Sequence, residues 1–123
     1  MDREQETSMT STAVKHDKNK PDFTYISYEM MEALAKVRAF GETKYSRDNW
    51  KLGGPNWIRR NLAACARHIW KHLRGEVNDE ESGLPHLWHA ACCLEHAIYE
   101  QAKTATNLSE LQSGLDAGDT TKK

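Results

Sequence analysis

WIRRNLAACARHIWKHLRGEVNDEESGLPHLWHAACCLEHAI, residues 57–98, is the stretch that decides the fold. In its first part Ile58, Leu62, Cys65, Ile69 and Leu73 recur at spacings of four and three, the rhythm of one face of an α-helix. Asn56 before it is a candidate cap, and Gly75 after it is a natural stop, because glycine accepts the left-handed conformation that ends helices. In its last part Leu87, Ala91, Leu94 and Ile98 make a second stripe, which the sequence ends near Ala102. Ser82 or Gly83 is placed to cap this helix, with Pro85 in its first turn. Only GEVNDEESGL, residues 75–84, joins the two, so they are predicted to fold back as an antiparallel hairpin.

Upstream, a further helix is predicted over residues 28–40. Ser27 can cap it, Glu29 and Glu32 suit its positive end, and Met30, Leu34, Val37 and Gly41 share one face with Met31 and Ala35 beside it. GETKYSRDNWKLGGPN, residues 41–56, is a long loop, and loops of that length in a compact domain are often functional. KHDKNKPDFTYIS, residues 15–27, reads as an extended arm, because Pro21 disfavours helix at Lys20. Residues 1–14 and 104–123 are polar and lack apolar periodicity, so both are expected to be disordered or weakly ordered tails flanking one all-α domain at 15–103.

Composition narrows the classes of function. The formal net charge of the 123 residues is -1, which provides no global basic field for nucleic acid or an acidic membrane. No apolar run approaches the ~20 residues of a membrane span. Cys65, Cys92 and Cys93 are odd in number, include an adjacent pair, and lie in apolar helical patterns, so they read as core residues of a reducing compartment. A cytoplasmic location is expected.

The chemistry gathers at the turn of the hairpin. Five of the six histidines, His68, His72, His86, His89 and His96, lie between residues 68 and 96, and Glu76, Asp79, Glu80 and Glu81 lie between the two helices. His68 and His72 share a helical face that continues to Glu76. An antiparallel return brings the end of one helix to the start of the next, so His72, Glu76, the acidic turn and His86 or His89 fall in one neighbourhood. Carboxylate oxygens suit magnesium, whereas imidazoles better suit zinc, iron or manganese. Arg59, Arg60, Arg67, Lys71 and Arg74 line the preceding helix, either as a solvated face or as partners for phosphate. No phosphate-cradling or dinucleotide-binding glycine pattern is present.

KHDKNKP at 15–21, FGETKYSRDNW at 40–50, RH at 67–68 and GEVNDEESGLPHLWHA at 75–90 together resemble the N-terminal-type domain of phage dATP/dGTP diphosphohydrolases, relatives of MazG-like nucleotide pyrophosphohydrolases. The resemblance implies an all-α, MazG-like helical bundle completed by oligomerisation, and the host cytoplasm if the chain is phage-encoded; the small ordered core predicts a closed dimer or tetramer. It also implies cleavage of a deoxynucleoside triphosphate between its α- and β-phosphates, with Mg2+ or Mn2+. The MazG signature pairs Glu-x-x-Glu on one helix with Glu-x-x-Asp on the next. Glu29–Glu32 and Glu76–Asp79 have those spacings here, but a strong helix separates them, and only the acidic turn carries over. Glu76, Asp79, Glu81 and His86 then form the expected metal set, and His68 and Glu76 the catalytic candidates. His68 or His86 would complete the ion's shell or accept a proton. Lys44 and Arg67 would grip phosphate, Tyr45 and Trp50 would stack on the base, and Asn49 would read its edge. A non-catalytic nucleotide sponge and a purely structural helical assembly are the competing readings.

Overall fold

The computed structural model describes residues 11–122. The expected tail at 1–14 lies mostly outside the described residues. The described chain is all-α, with helices α1 (Tyr28–Gly41), α2 (Trp57–Leu73) and α3 (His86–Lys122) and short 3-10 turns at Phe23–Tyr25 and Asn49–Leu52. No helix among the described residues is long and apolar enough to cross a membrane.

Local chemistry sets the helix ends. Ser27 caps α1 as expected, its Oγ accepting from the Met30 N–H at 3.0 Å. Asn56 precedes α2 in the left-handed conformation (φ 59) and makes no side-chain cap bond, so its contribution is backbone shape rather than capping. Gly75 closes α2 as the sequence predicts. It takes φ 98, its N–H bonds the His72 carbonyl, and the Glu76 N–H reaches back to the Lys71 carbonyl, the paired bonds of a Schellman ending. α3 begins at His86, with the His89 N–H on the Pro85 carbonyl at 3.3 Å. Ser82 therefore does not cap α3. Its hydroxyl accepts from Leu84 N–H inside the turn.

α3 is the axis of the fold. α1 and α2 each pack on it rather than on each other. The hairpin is antiparallel, since His68 meets His86 while Asn61, earlier on α2, meets His96, later on α3. The end expected near Ala102 is overrun, and the helix continues to Lys122. Residues 104–122 hold no proline and several strong helix formers, which prolong a helix already nucleated by packing. Described side chains beyond Lys103 are exposed.

The loop between α1 and α2 is clasped to α3. Lys103 Nζ donates to the Lys51 carbonyl at 2.8 Å and is ion-paired with Glu100. Gly53, at φ 67, lies against the Glu100 carboxylate, where a Cβ would collide. Among the described residues the buried apolar core is small, consisting of Ala33, Val37, Ala90, Cys92 and Ala97. By contrast Leu62, Ile69, Leu73, Leu87, Leu94 and Ile98, the main stripes of both hairpin helices, are 41–66% exposed. Small and polar residues form the α2–α3 seam, and the large aliphatic stripes stand beside it.

Candidate functional site

The turn between α2 and α3 is built to hold side chains in place. An antiparallel bridge joins Asn78 to Pro85, with the Asp79 N–H on the Leu84 carbonyl and the His86 N–H on the Val77 carbonyl, both at 2.8 Å. Inside it, Asp79 Oδ2 accepts from the backbone N–H groups of Glu81 (3.0 Å) and Ser82 (2.9 Å). Burial raises the Asp79 pKa, but the backbone amide bonds from Ser82 and Glu81 and the nearby His89 outweigh it and hold the carboxyl below its ordinary value.

Three histidines close over this turn. His86 opens α3 and is 1% exposed, the largest fully buried side chain described. Its Nδ1 lies 2.8 Å from His68 Nδ1. A hydrogen bond there needs one protonated and one bare nitrogen, so the two rings must adopt different tautomers. His89, three residues on, stacks on His68 at 4.9 Å between centroids and 16° between planes. The Ser82 hydroxyl, already accepting from Leu84 N–H, has its proton available for His89 Nε2 at 2.7 Å. Burial, followed by the neighbouring His89 and His86, pushes the His68 pKa down to about 4, and burial also lowers that of His89. His68 is therefore neutral near pH 7, the form in which an imidazole binds a cation or accepts a proton.

Among the described residues, His68, Asp79 and His86 form a group whose donor atoms all lie within 4.8 Å of one another. Two members of the expected metal set, Asp79 and His86, are thus brought together, with His68 as the third. Glu76 stands behind His86, its Oε2 3.6 Å from Nε2, and also pairs with Arg74 at 3.0 Å. Glu81 turns to Lys44, with the ammonium 3.0 Å from its carboxylate. That pair ties the α1–α2 loop to the acidic turn and places the expected phosphate-gripping lysine beside the cluster.

The remaining expected residues lie differently. Tyr45 and Asn49 are exposed on the loop. Arg67 is exposed and lines a shallow depression along α2 with Trp57, Arg60 and Asn61. Trp50 is not an open stacking surface. Its ring stacks on His96 (4.6 Å, 15°), takes the Arg38 guanidinium at 4.0 Å and meets the edge of Tyr99. The loop folds inward because this large apolar ring finds cover against α3. His96 is fixed in turn, with Nδ1 on Asn61 Oδ1 at 3.0 Å and Nε2 3.5 Å from Cys92 Sγ, and Arg38 pairs with Glu95 at 2.6 Å. Burial, then Arg38, pushes the His96 pKa down to about 4.

The sequence reading left His89 and Ser82 without assigned roles at the site. The spacing of three from His86 puts His89 on the same face, but its bond to Ser82 depends on a turn geometry that periodicity does not encode. Of the donors, two imidazoles and one carboxylate would suit a divalent ion that accepts nitrogen.

Comparison with known proteins gives a consistent setting. Residues 10–109 match the family described as dATP/dGTP diphosphohydrolase, N-terminal. The chain is similar to a dATP/dGTP diphosphohydrolase of Salmonella phage PMBT28, 39% identical over 83 residues, which are 68% of this chain and 28% of that protein. It therefore spans little more than a quarter of that relative's length. No solved structure matches the chain.

Proposed function

This chain belongs to the dATP/dGTP diphosphohydrolase N-terminal family, and on that premise we propose that it hydrolyses a purine deoxynucleoside triphosphate, dATP or dGTP, with the help of a divalent ion. The observation that carries this reading is the convergence of His68, Asp79 and His86 on one point, with Lys44 at its rim. Water adds to the α-phosphorus, the bond to the bridging oxygen of the β-phosphate breaks, and a nucleoside monophosphate and pyrophosphate leave. A divalent ion, when bound, neutralises phosphate charge and makes water acidic enough to supply the nucleophile near neutral pH.

The protein's part is placement and electrostatics. His68, Asp79 and His86 would hold the ion. Lys44, exposed and swung onto Glu81, is free to exchange that carboxylate for a phosphate oxygen, since an exposed ion pair contributes little. His89, whose Nε2 accepts from the Ser82 hydroxyl, would take the proton lost by water through that hydroxyl, which passes its own proton to Nε2 as it receives one from water. Tyr45 and Asn49, exposed on the same loop, are left to meet the base, a task for which Trp50 is not placed.

A second copy of the chain completes the fold in this reading. Leu62, Ile69 and Leu73 on α2 and Leu87, Leu94 and Ile98 on α3 form an exposed apolar face whose α2 side, from Leu62 to Leu73, runs roughly 16 Å at ~1.5 Å per residue. A two-fold partner presenting the same face would bury both.

The test is a panel of deoxynucleoside triphosphates incubated with the full chain and Mg2+ or Mn2+, with monophosphate and pyrophosphate quantified. Many turnovers per chain with dATP or dGTP are expected. Stoichiometric retention of intact nucleotide would identify a sponge, and neither outcome would leave a structural protein.

A further inference from the structure

We infer that His68, Asp79 and His86 form a three-ligand centre for a first-row transition ion, such as Mn2+ or Co2+, in preference to Mg2+. This centre rests on the hydrolytic reading for the role of its ion, though not for its ligands.

Three separate parts of the chain deliver the donors: the last third of α2, the bridged turn and the first residue of α3. Each is fixed by other bonds. Asp79 is held by two backbone amides, His86 by its own N–H on Val77, and His68 by the stacked ring of His89. The ligand atoms thus have little ordering entropy left to lose.

His86 supplies an independent observation. Its ring is 1% exposed, its Nε2 has no hydrogen-bond partner, and its Nδ1 points at another imidazole nitrogen. Burying a polar ring so incompletely satisfied is costly. A cation between His68 and His86 would engage the bare Nδ1 lone pairs of both. Two nitrogens bound side by side to one ion at ~2.1 Å sit about 3 Å apart, close to the 2.8 Å found here. The proton on His86 would then move to Nε2, which faces Glu76 at 3.6 Å, the outer carboxylate that commonly orients a ligating histidine.

The donor set argues for the kind of ion. Mg2+ strongly prefers six oxygens, and here Asp79 offers the protein's oxygen while Glu81 is spent on Lys44 and Glu76 on Arg74. Two imidazoles and one carboxylate suit Mn2+, Fe2+ or Co2+ and leave positions open for phosphate oxygens and water.

The test is ion binding by the full chain without nucleotide. Metal-stripped protein is titrated with Co2+, followed by its visible absorption, and with Mn2+, followed by electron paramagnetic resonance. Mg2+ is then added in competition. One Co2+ per chain is expected, resisting a ~100-fold excess of Mg2+. Asp79→Asn and His68→Gln should each weaken Co2+ binding by about 100-fold or more, while Glu80→Gln, an exposed carboxylate of the same turn, should bind as wild type. Metal-free melts check that each variant folds, and if His68→Gln does not, Asp79→Asn decides. Displacement of Co2+ by equimolar Mg2+, or wild-type Co2+ affinity in Asp79→Asn, overturns the centre. Co2+ binding without pyrophosphate release would defeat the hydrolytic reading and leave the centre standing. Turnover with Mg2+ in a chain that binds no Co2+ would do the reverse.

Discussion

Replacing Trp50 by Ala separates two roles for the same ring. In the structure the indole is covered by His96, Arg38 and the edge of Tyr99. An aromatic pair contributes about 0.5–1.5 kcal/mol beyond burial, and a cation–π contact about 0.5–2 kcal/mol. The truncation also leaves His96 and Arg38 facing a void, so a loss of about 3 kcal/mol is expected, within the range for large aromatic deletions. For a chain of this length that lowers Tm by roughly 10 °C. The assay is thermal unfolding by circular dichroism, paired with nucleotide turnover at several substrate concentrations. A marked fall in Tm is expected, because the ring staples the α1–α2 loop to α3. An unchanged Tm with a several-fold rise in KM would refute this reasoning and return Trp50 to the base-stacking role.

Acid should loosen the same staple. His96 faces Arg38, Trp50, Trp57, Asn61 and Cys92, and its pKa is about 4 in the folded chain against an ordinary 6.5. The unfolded chain therefore binds the extra proton first, and stability, full above about 6.5, is lost as pH falls toward about 4. Metal-free protein should melt lower at pH 5 than at pH 7, and His96→Gln should flatten that slope; a flat wild-type profile contradicts the assignment. Ile69→Glu on the exposed apolar face should convert an oligomer to a folded monomer by light scattering with helical content retained, whereas a wild type that scatters as a monomer at micromolar concentration removes the case for a second copy.

Periodicity made the helices and the hairpin legible before any coordinates. Ser27 and Gly75 ended helices where expected because their roles are local, one hydroxyl on one amide and one left-handed residue. The convergence of histidines with the turn was legible for the same reason, since the residues lie close in sequence. Orientation was not. Ile69 and Leu94 share faces with the expected neighbours, but a repeat does not say whether that face meets the same chain or another surface. Glu95 pairs with Arg38 of a different helix, a contact that no local spacing announces. The fate of Trp50 and the pairing of Lys44 with Glu81 depend on contacts across dozens of residues, and no short pattern encodes them.

The span of each contact along the chain has a consequence for synthesis. His68 and His86 are 18 residues apart and Ser82 and His89 are 7 apart, whereas the bond from Lys103 to Lys51 closes 52. Chain entropy favours the 18-residue closure over the 52-residue one by about 1 kcal/mol. As the N-terminus emerges first, the loop carrying Lys44 and Trp50 leaves the ribosome with nothing to dock on. Once residue 89 is out, every residue of the histidine cluster is available, and the loop must wait for α3 to lengthen to Lys103 before it is clasped. The newborn chain therefore has the residues of its histidine corner in hand before it can fasten the loop beside it.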